Sequence, residues 1–160
     1  MRRRRYLTVI LFMLALCGRL GATKEDRGAK RIEDIVDGLR RQLGISANIG
    51  VKVVTENRLA MSTEPLDGAR EDFLISIDGA FLSHLDDDEL AAALAHELGH
   101  VWIFTHHPFL HTEALANQIA MRVVPRESLE TLYVKLWAFE GTTGAIENLL
   151  GPKPARSDHR

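Results

Sequence analysis

Asp86 to Phe104 reads DDDELAAALAHELGHVWIF, and the fold hangs on how this stretch is read. Leu90, Leu94, Leu98 and Val101 recur at intervals of three and four, which places them on one buried stripe of an α-helix. The acids ahead of them invite a calcium-site reading. Asp86 followed three positions later by Glu89 is better read as a capping box, with the remaining acids favoured by the positive end of the helix dipole. The spacing predicts a helix from Asp87 to about Phe104, stopped by Pro108. Within it His96 and His100 are four apart, so their imidazoles point the same way, and Glu97 lies close to that face. Two neutral histidines and an adjacent carboxylate suit a metal hydrolase: His96 and His100 bind Zn²⁺ while Glu97 serves as general base. A bare HExxH pattern arises often by chance. Here the buried stripe, with Ala91, Ala92, Ala93 and Ala95 keeping the approach to the ligands narrow, sets it apart.

Two histidines leave a catalytic zinc short of its usual third protein ligand. Glu113, on the helix expected from Thr112 to Val124, can bring a carboxylate back to the ion. Asn117, one turn further on, can reach the back of an imidazole and fix its orientation. The rival is His106, at the spacing of the third histidine in HExxHxxGxxH. That motif needs glycine where this chain has Ile103, so the helix is expected to continue and carry His106 away. His107 and His111 flank the Pro108 turn, and one of them is a candidate to line a cleft and stabilise an oxyanion. His84 reads as a surface residue, and Trp102, Tyr133 and Trp137 read as core.

Upstream, Ile32, Ile35, Val36, Leu39 and Leu43 predict a helix from Ala29 to Gly44, after a polar linker at residues 23–28. Ile49, Val51 and Val53 alternate as a strand, a second extended run passes through Leu59 and Met61, and Phe73 to Ile77 forms a third. Downstream, a long helix starts at Pro125 and ends near Gly141, and a charged, Pro-containing tail at residues 151–160 is expected to be disordered. This order gives an α+β domain over residues 23–150: a small mixed sheet packed on the His96–His100 helix and further helices. Residues 1–22 have the layout of a signal peptide, with Arg2 to Arg5 before an apolar run from Tyr6 to Cys17. Export to a periplasmic or extracellular setting is therefore expected, the alternatives being an uncleaved anchor or lipid attachment at Cys17. Membrane contact is expected only through this segment. Without it the balance of 20 basic and 22 acidic residues becomes 15 and 22, an acidic domain with no footprint for nucleic acid. The same domain has no cysteine, so a metal there must be held by His, Asp or Glu.

The stretch FLISIDGAFLSHLDDDELAAALAHELGH, continued by TEALANQIAMRVV, resembles the gluzincin zinc metallopeptidases of the HtpX and CAAX-prenyl-protease kind. The segment EALANQIAMRVVPRESLE is also similar to the ImmA/IrrE metallopeptidases. The resemblance implies a minimal zincin-like fold with one zinc per chain on His96, His100 and Glu113, and Glu97 as the base. It differs at Asn117, where the first family's pattern has Asp. Asn57, Arg58, Leu59 and Ala60 look like that family's substrate strand, a sheet edge along which an extended polypeptide substrate lies. The activity implied is that of a metalloendopeptidase in extracytoplasmic protein quality control; the alternative on the same fold is a zinc-stabilised, catalytically weak regulatory or binding module.

Overall fold

The computed structural model describes residues 24–66 and 71–153; the expected signal segment and residues 154–160 of the tail lie outside the described residues. Helix α1 (Lys24–Gln42) buries Ile32, Val36 and Leu39, with Leu43 just past its end, the stripe that an amphipathic helix presents to a core. It begins at Lys24 and not at Ala29. The residues taken for a linker include Lys24, Glu25 and Arg27, which are good helix formers and extend the helix without adding an apolar face. Gly44, at φ +68°, ends it: the Gly44 N–H donates to Arg41 O and the Ile45 N–H to Arg40 O, closing the last turn through a left-handed residue.

Three strands follow: β1 (Asn48–Val54), β2 (Met61–Pro65) and β3 (Asp72–Asp78). Their order is β1-β3-β2, with β3 in the centre, parallel to β1 and antiparallel to β2. Phe73, Ile75 and Ile77 bury the side chains of the central strand in the core. The residues expected to form the edge strand are placed differently. Asn57 to Ala60 make a tight turn, and the edge strand is Met61–Pro65. The Asn57 side chain holds that turn: Oδ1 accepts from the Leu59 N–H, while Nδ2 donates to Ser62 Oγ and Ser76 O. Ala60 sits at φ 59°, a conformation no residue adopts inside a strand.

Asp78 closes β3 and caps the short helix α2 (Gly79–Leu82), accepting from the Ala80 and Phe81 N–H groups. Helix α3 (Asp87–His106) carries the capping box read from the sequence: Asp86 Oδ1 accepts from the Glu89 N–H at 2.9 Å and Glu89 Oε2 from the Asp86 N–H at 2.8 Å. It is the central element, buried on most sides and packed against α1, β2, α4 (Glu113–Ala120) and α5 (Arg126–Glu140). A 3₁₀ turn at Pro108–Leu110 reverses the chain between α3 and α4. Helix α4 stops at Ala120, short of Val124. A last helix, α6 (Ile146–Leu150), was not foreseen in the sequence. Arg126, at the start of α5, clamps it by donating to Leu150 O and Gly151 O, at 2.7 Å each. No helix among the described residues is long and apolar enough to cross a membrane.

Candidate metal centre

Gly99 decides how close α3 and α4 come. A Cβ at that position would lie 2.4 Å from Ala116 O, so only glycine lets the backbone of α4 rest against α3. The 3₁₀ turn and the Thr112 cap, which accepts from the Leu115 N–H, then start α4 with Glu113 facing the two histidines. His96 Nε2 and His100 Nε2 are 3.1 Å apart, and Glu113 Oε2 lies 3.2 Å from the first and 3.6 Å from the second. A tetrahedral ion with bonds of about 2.0–2.1 Å holds its ligand atoms about 3.3 Å apart, so this triangle has the size of one face of such a site. His96, His100 and Glu113 can hold a metal ion.

The backs of both imidazoles are occupied. His96 Nδ1 lies 2.8 Å from Asn117 Oδ1, and an amide oxygen only accepts, so the ring carries a proton on Nδ1 and, when neutral, turns a lone pair on Nε2 into the site. His100 Nδ1 lies 2.9 Å from His111 Nε2, with the two rings nearly parallel at 17°. Burial first, and then the neighbouring His100, hold the His111 pKa below its ordinary value against the pull of Glu113. A neutral His111 can accept the His100 Nδ1–H, which again leaves Nε2 with a lone pair facing the site. With both rings neutral and protonated on Nδ1, two imidazole lone pairs and a carboxylate oxygen thus converge on one point, a donor set for a cation.

The charges point the same way. In the metal-free protein a proton on Nε2 takes the cation's place, and hydrogen bonds from His100 and His96 hold the Glu113 carboxyl well below the usual carboxylate range. Burial opposes a charge on His96, but Glu113, Glu97 and Asn117 outweigh it and raise that pKa. Asn117 is fully buried and its amide is satisfied: the Tyr133 hydroxyl lies 2.8 Å from Nδ2 and 3.1 Å from Oδ1, and Nδ2 donates to Leu149 O of α6 at 3.3 Å. Burial pushes the Tyr133 hydroxyl up to about 12, so it keeps its proton.

Glu97 is buried in the wall of the same cleft, with Oε2 accepting from the Thr63 hydroxyl at 2.6 Å. The cleft, of about 340 Å³, has apolar walls that include Leu59, Met61, Phe81, Leu132 and Leu136. His106 is elsewhere. With Ile103 in place of glycine, α3 continues to its exposed end, where His106 stacks on Trp102 at 4.2 Å and donates from Nδ1 to Trp102 O. Of Asn57 to Ala60, Leu59 lines the cleft. Of the two histidines flanking Pro108, His111 lines the cleft, where it backs His100, while Thr63 and Tyr133 are site residues that the sequence reading did not single out. Tyr133 had one signal: a tyrosine on the buried stripe of α5 needs a partner for its hydroxyl.

The sequence matches no protein-family model and no curated protein. Its structure is similar to the crystal structure of the metallopeptidase zymogen of Pyrococcus abyssi abylysin, with a TM-score of 0.52 and 19% identity over 71% of this chain and 99% of that one. The likeness is one of fold: this chain has a small α+β metallopeptidase-like fold, with His96, His100 and Glu113 able to bind a metal ion within it.

Proposed function

We propose that the chain is a zinc-dependent metalloendopeptidase of the gluzincin type, with His96, His100 and Glu113 as ligands and Glu97 as general base. The observation that carries this reading is the triangle of two Nε2 atoms and one carboxylate oxygen, at 3.1, 3.2 and 3.6 Å, with Glu97 in the wall beside it. A donor set of two neutral imidazoles and one carboxylate suits Zn²⁺, and it leaves a fourth position for water or substrate. When bound, the ion supplies a Lewis acid that polarises a carbonyl and makes water a nucleophile near neutral pH.

The chain's own residues do the rest. Asn117 and His111 hold the two imidazoles in the tautomer that presents Nε2. Glu97 takes a proton from the attacking water as the new C–O bond forms, and gives it to the leaving amine as the peptide C–N bond breaks. The polypeptide substrate lies extended along the open edge of β2. Apolar walls around the cleft favour an apolar side chain next to the scissile bond.

The test is metal content and cleavage measured together. The purified protein is expected to hold about one zinc per chain and to cut an unfolded protein such as casein, with a chelator abolishing the activity. Glu97→Gln is expected to keep the metal and to lose activity by about 100-fold or more. Tight zinc binding with no cleavage in any form would turn the reading towards the catalytically weak regulatory or binding module.

A further inference from the structure

Among the described residues, the one side chain that hydrogen-bonds Glu97 is Thr63, whose hydroxyl donates to Oε2 at 2.6 Å. The two are 34 residues apart and meet because β2 packs across α3. The last torsion of a glutamate is broad and roughly two-fold, so a carboxylate without a partner turns among orientations of similar energy. A hydroxyl bond to a charged oxygen is among the stronger kinds, and it holds Oε2 in place while leaving Oε1 as the free acceptor.

The main chain of Thr63 has its own place. In an antiparallel pair, alternate residues turn their main-chain groups to the partner strand, and those between turn theirs away. At the two ends of the β2–β3 ladder, the Asp78 N–H bonds Ala60 O and the Leu66 N–H bonds Asp72 O. Even-numbered residues of β2 therefore face β3, while Met61, Thr63 and Pro65 face the outer edge, where no described strand lies. Pro65 has no N–H, and the Met61 N–H is taken by Leu59 O. Among the described residues, Thr63 is thus the residue of β2 whose N–H and C=O are both without a partner and open to an incoming chain.

We infer that Thr63 is the positioning residue for Glu97: its hydroxyl orients the base, from the strand position where an extended substrate pairs. The consequence for turnover rests on the peptidase reading above; the orientation of Glu97 does not. Both are tested on the full-length, zinc-loaded chain with Thr63→Val, which keeps a β-branched strand residue, and Thr63→Ser, which keeps the hydroxyl. Thr63→Val is expected to lower kcat roughly tenfold, with KM within about twofold and zinc content unchanged, because the main-chain edge survives while the base is loosened. Thr63→Ser is expected to recover most of the loss. The carboxylate ¹³C resonance of Glu97, identified by its disappearance in Glu97→Gln, is expected to be one sharp line in the wild type and Thr63→Ser, and broadened or doubled in Thr63→Val. A sharp wild-type line in Thr63→Val overturns the inference, as does a Thr63→Ser variant as impaired as Thr63→Val. If the wild type cleaves nothing, the peptidase reading fails and the resonance alone decides for or against Thr63. Thr63→Ala carries the same comparison if Thr63→Val does not fold.

Discussion

Glu113 is more than half exposed, yet its carboxylate oxygen completes the triangle with two imidazoles that are nearly closed off from solvent. That contrast makes it the residue whose loss is easiest to interpret: removing it opens no core cavity, but leaves only the two imidazoles, 3.1 Å apart at Nε2, to hold an ion. Glu113→Ala is therefore expected to lose most of its zinc on dialysis, whereas His106→Ala, at the far exposed end of α3, is expected to keep about one zinc per chain. Elemental analysis of the two purified variants checks this; equal loss from both would reinstate His106 as a ligand. Asn117→Ala belongs between them, with affinity lowered by about 10–100-fold, because it frees the His96 ring without removing a ligand.

Helix α4 brings Glu113 and Asn117 to the metal centre, and its distance from α3 is set by Gly99. A methyl group there would meet Ala116 O at 2.4 Å and Ala116 Cα at 2.9 Å, both backbone atoms that can move only with the whole helix. Gly99→Ala is expected to cost about 1–3 kcal/mol through overpacking, despite the higher helix propensity of alanine. In a domain of this size that lowers the melting temperature by several degrees, roughly 3–10 °C. Zinc affinity should fall with it, since α4 carries one ligand and the partner of another. Calorimetry with and without zinc checks both effects; an unchanged melting temperature in Gly99→Ala would mean that the two helices do not meet at this residue.

At the scale of the molecule, α3 is enclosed by a sheet and further helices, and its ligand face opens on the cleft beside β2. The stability of that whole depends on pH through the site. In the metal-free protein the Glu113 pKa is depressed, so its contribution is present above its ordinary 4.5 and is lost as pH falls through the depressed value. The His96 pKa is raised, so its contribution is present below its ordinary 6.5 and is lost as pH rises through the raised value. The pair supports the metal-free fold best between those two ordinary values. Zinc requires His96 neutral and reverses the dependence on the alkaline side. The difference in melting temperature between zinc-loaded and chelator-treated protein is thus expected to widen from about pH 5.5 to about pH 8. Thermal scans across that range decide; a difference that narrows with rising pH would exclude these histidines as ligands.

His96, Glu97 and His100 were legible in the sequence because one helical repeat brings them to one face, and the capping box was legible because its bonds span three residues. The strands β1 and β3 and the stripe of α1 were legible for the same reason, as periods or runs of local geometry, although the alternation read in β1 breaks at Val53, which is half exposed. The turn at Asn57 to Ala60 was not, since Leu59 and Met61 look extended while the Asn57 side chain bends the backbone before them. Glu113 was legible as a candidate on the helix after Pro108, but its approach to the histidines depends on a glycine contact between two helices. Thr63 on Glu97, His111 on His100 and Tyr133 on Asn117 join residues 34, 11 and 16 apart. Local periodicity determined which residues face inward. Only the packing of α3 against β2, α4 and α5 decided which of those polar groups meet, because a buried hydrogen-bonding group takes whatever partner the neighbouring element presents.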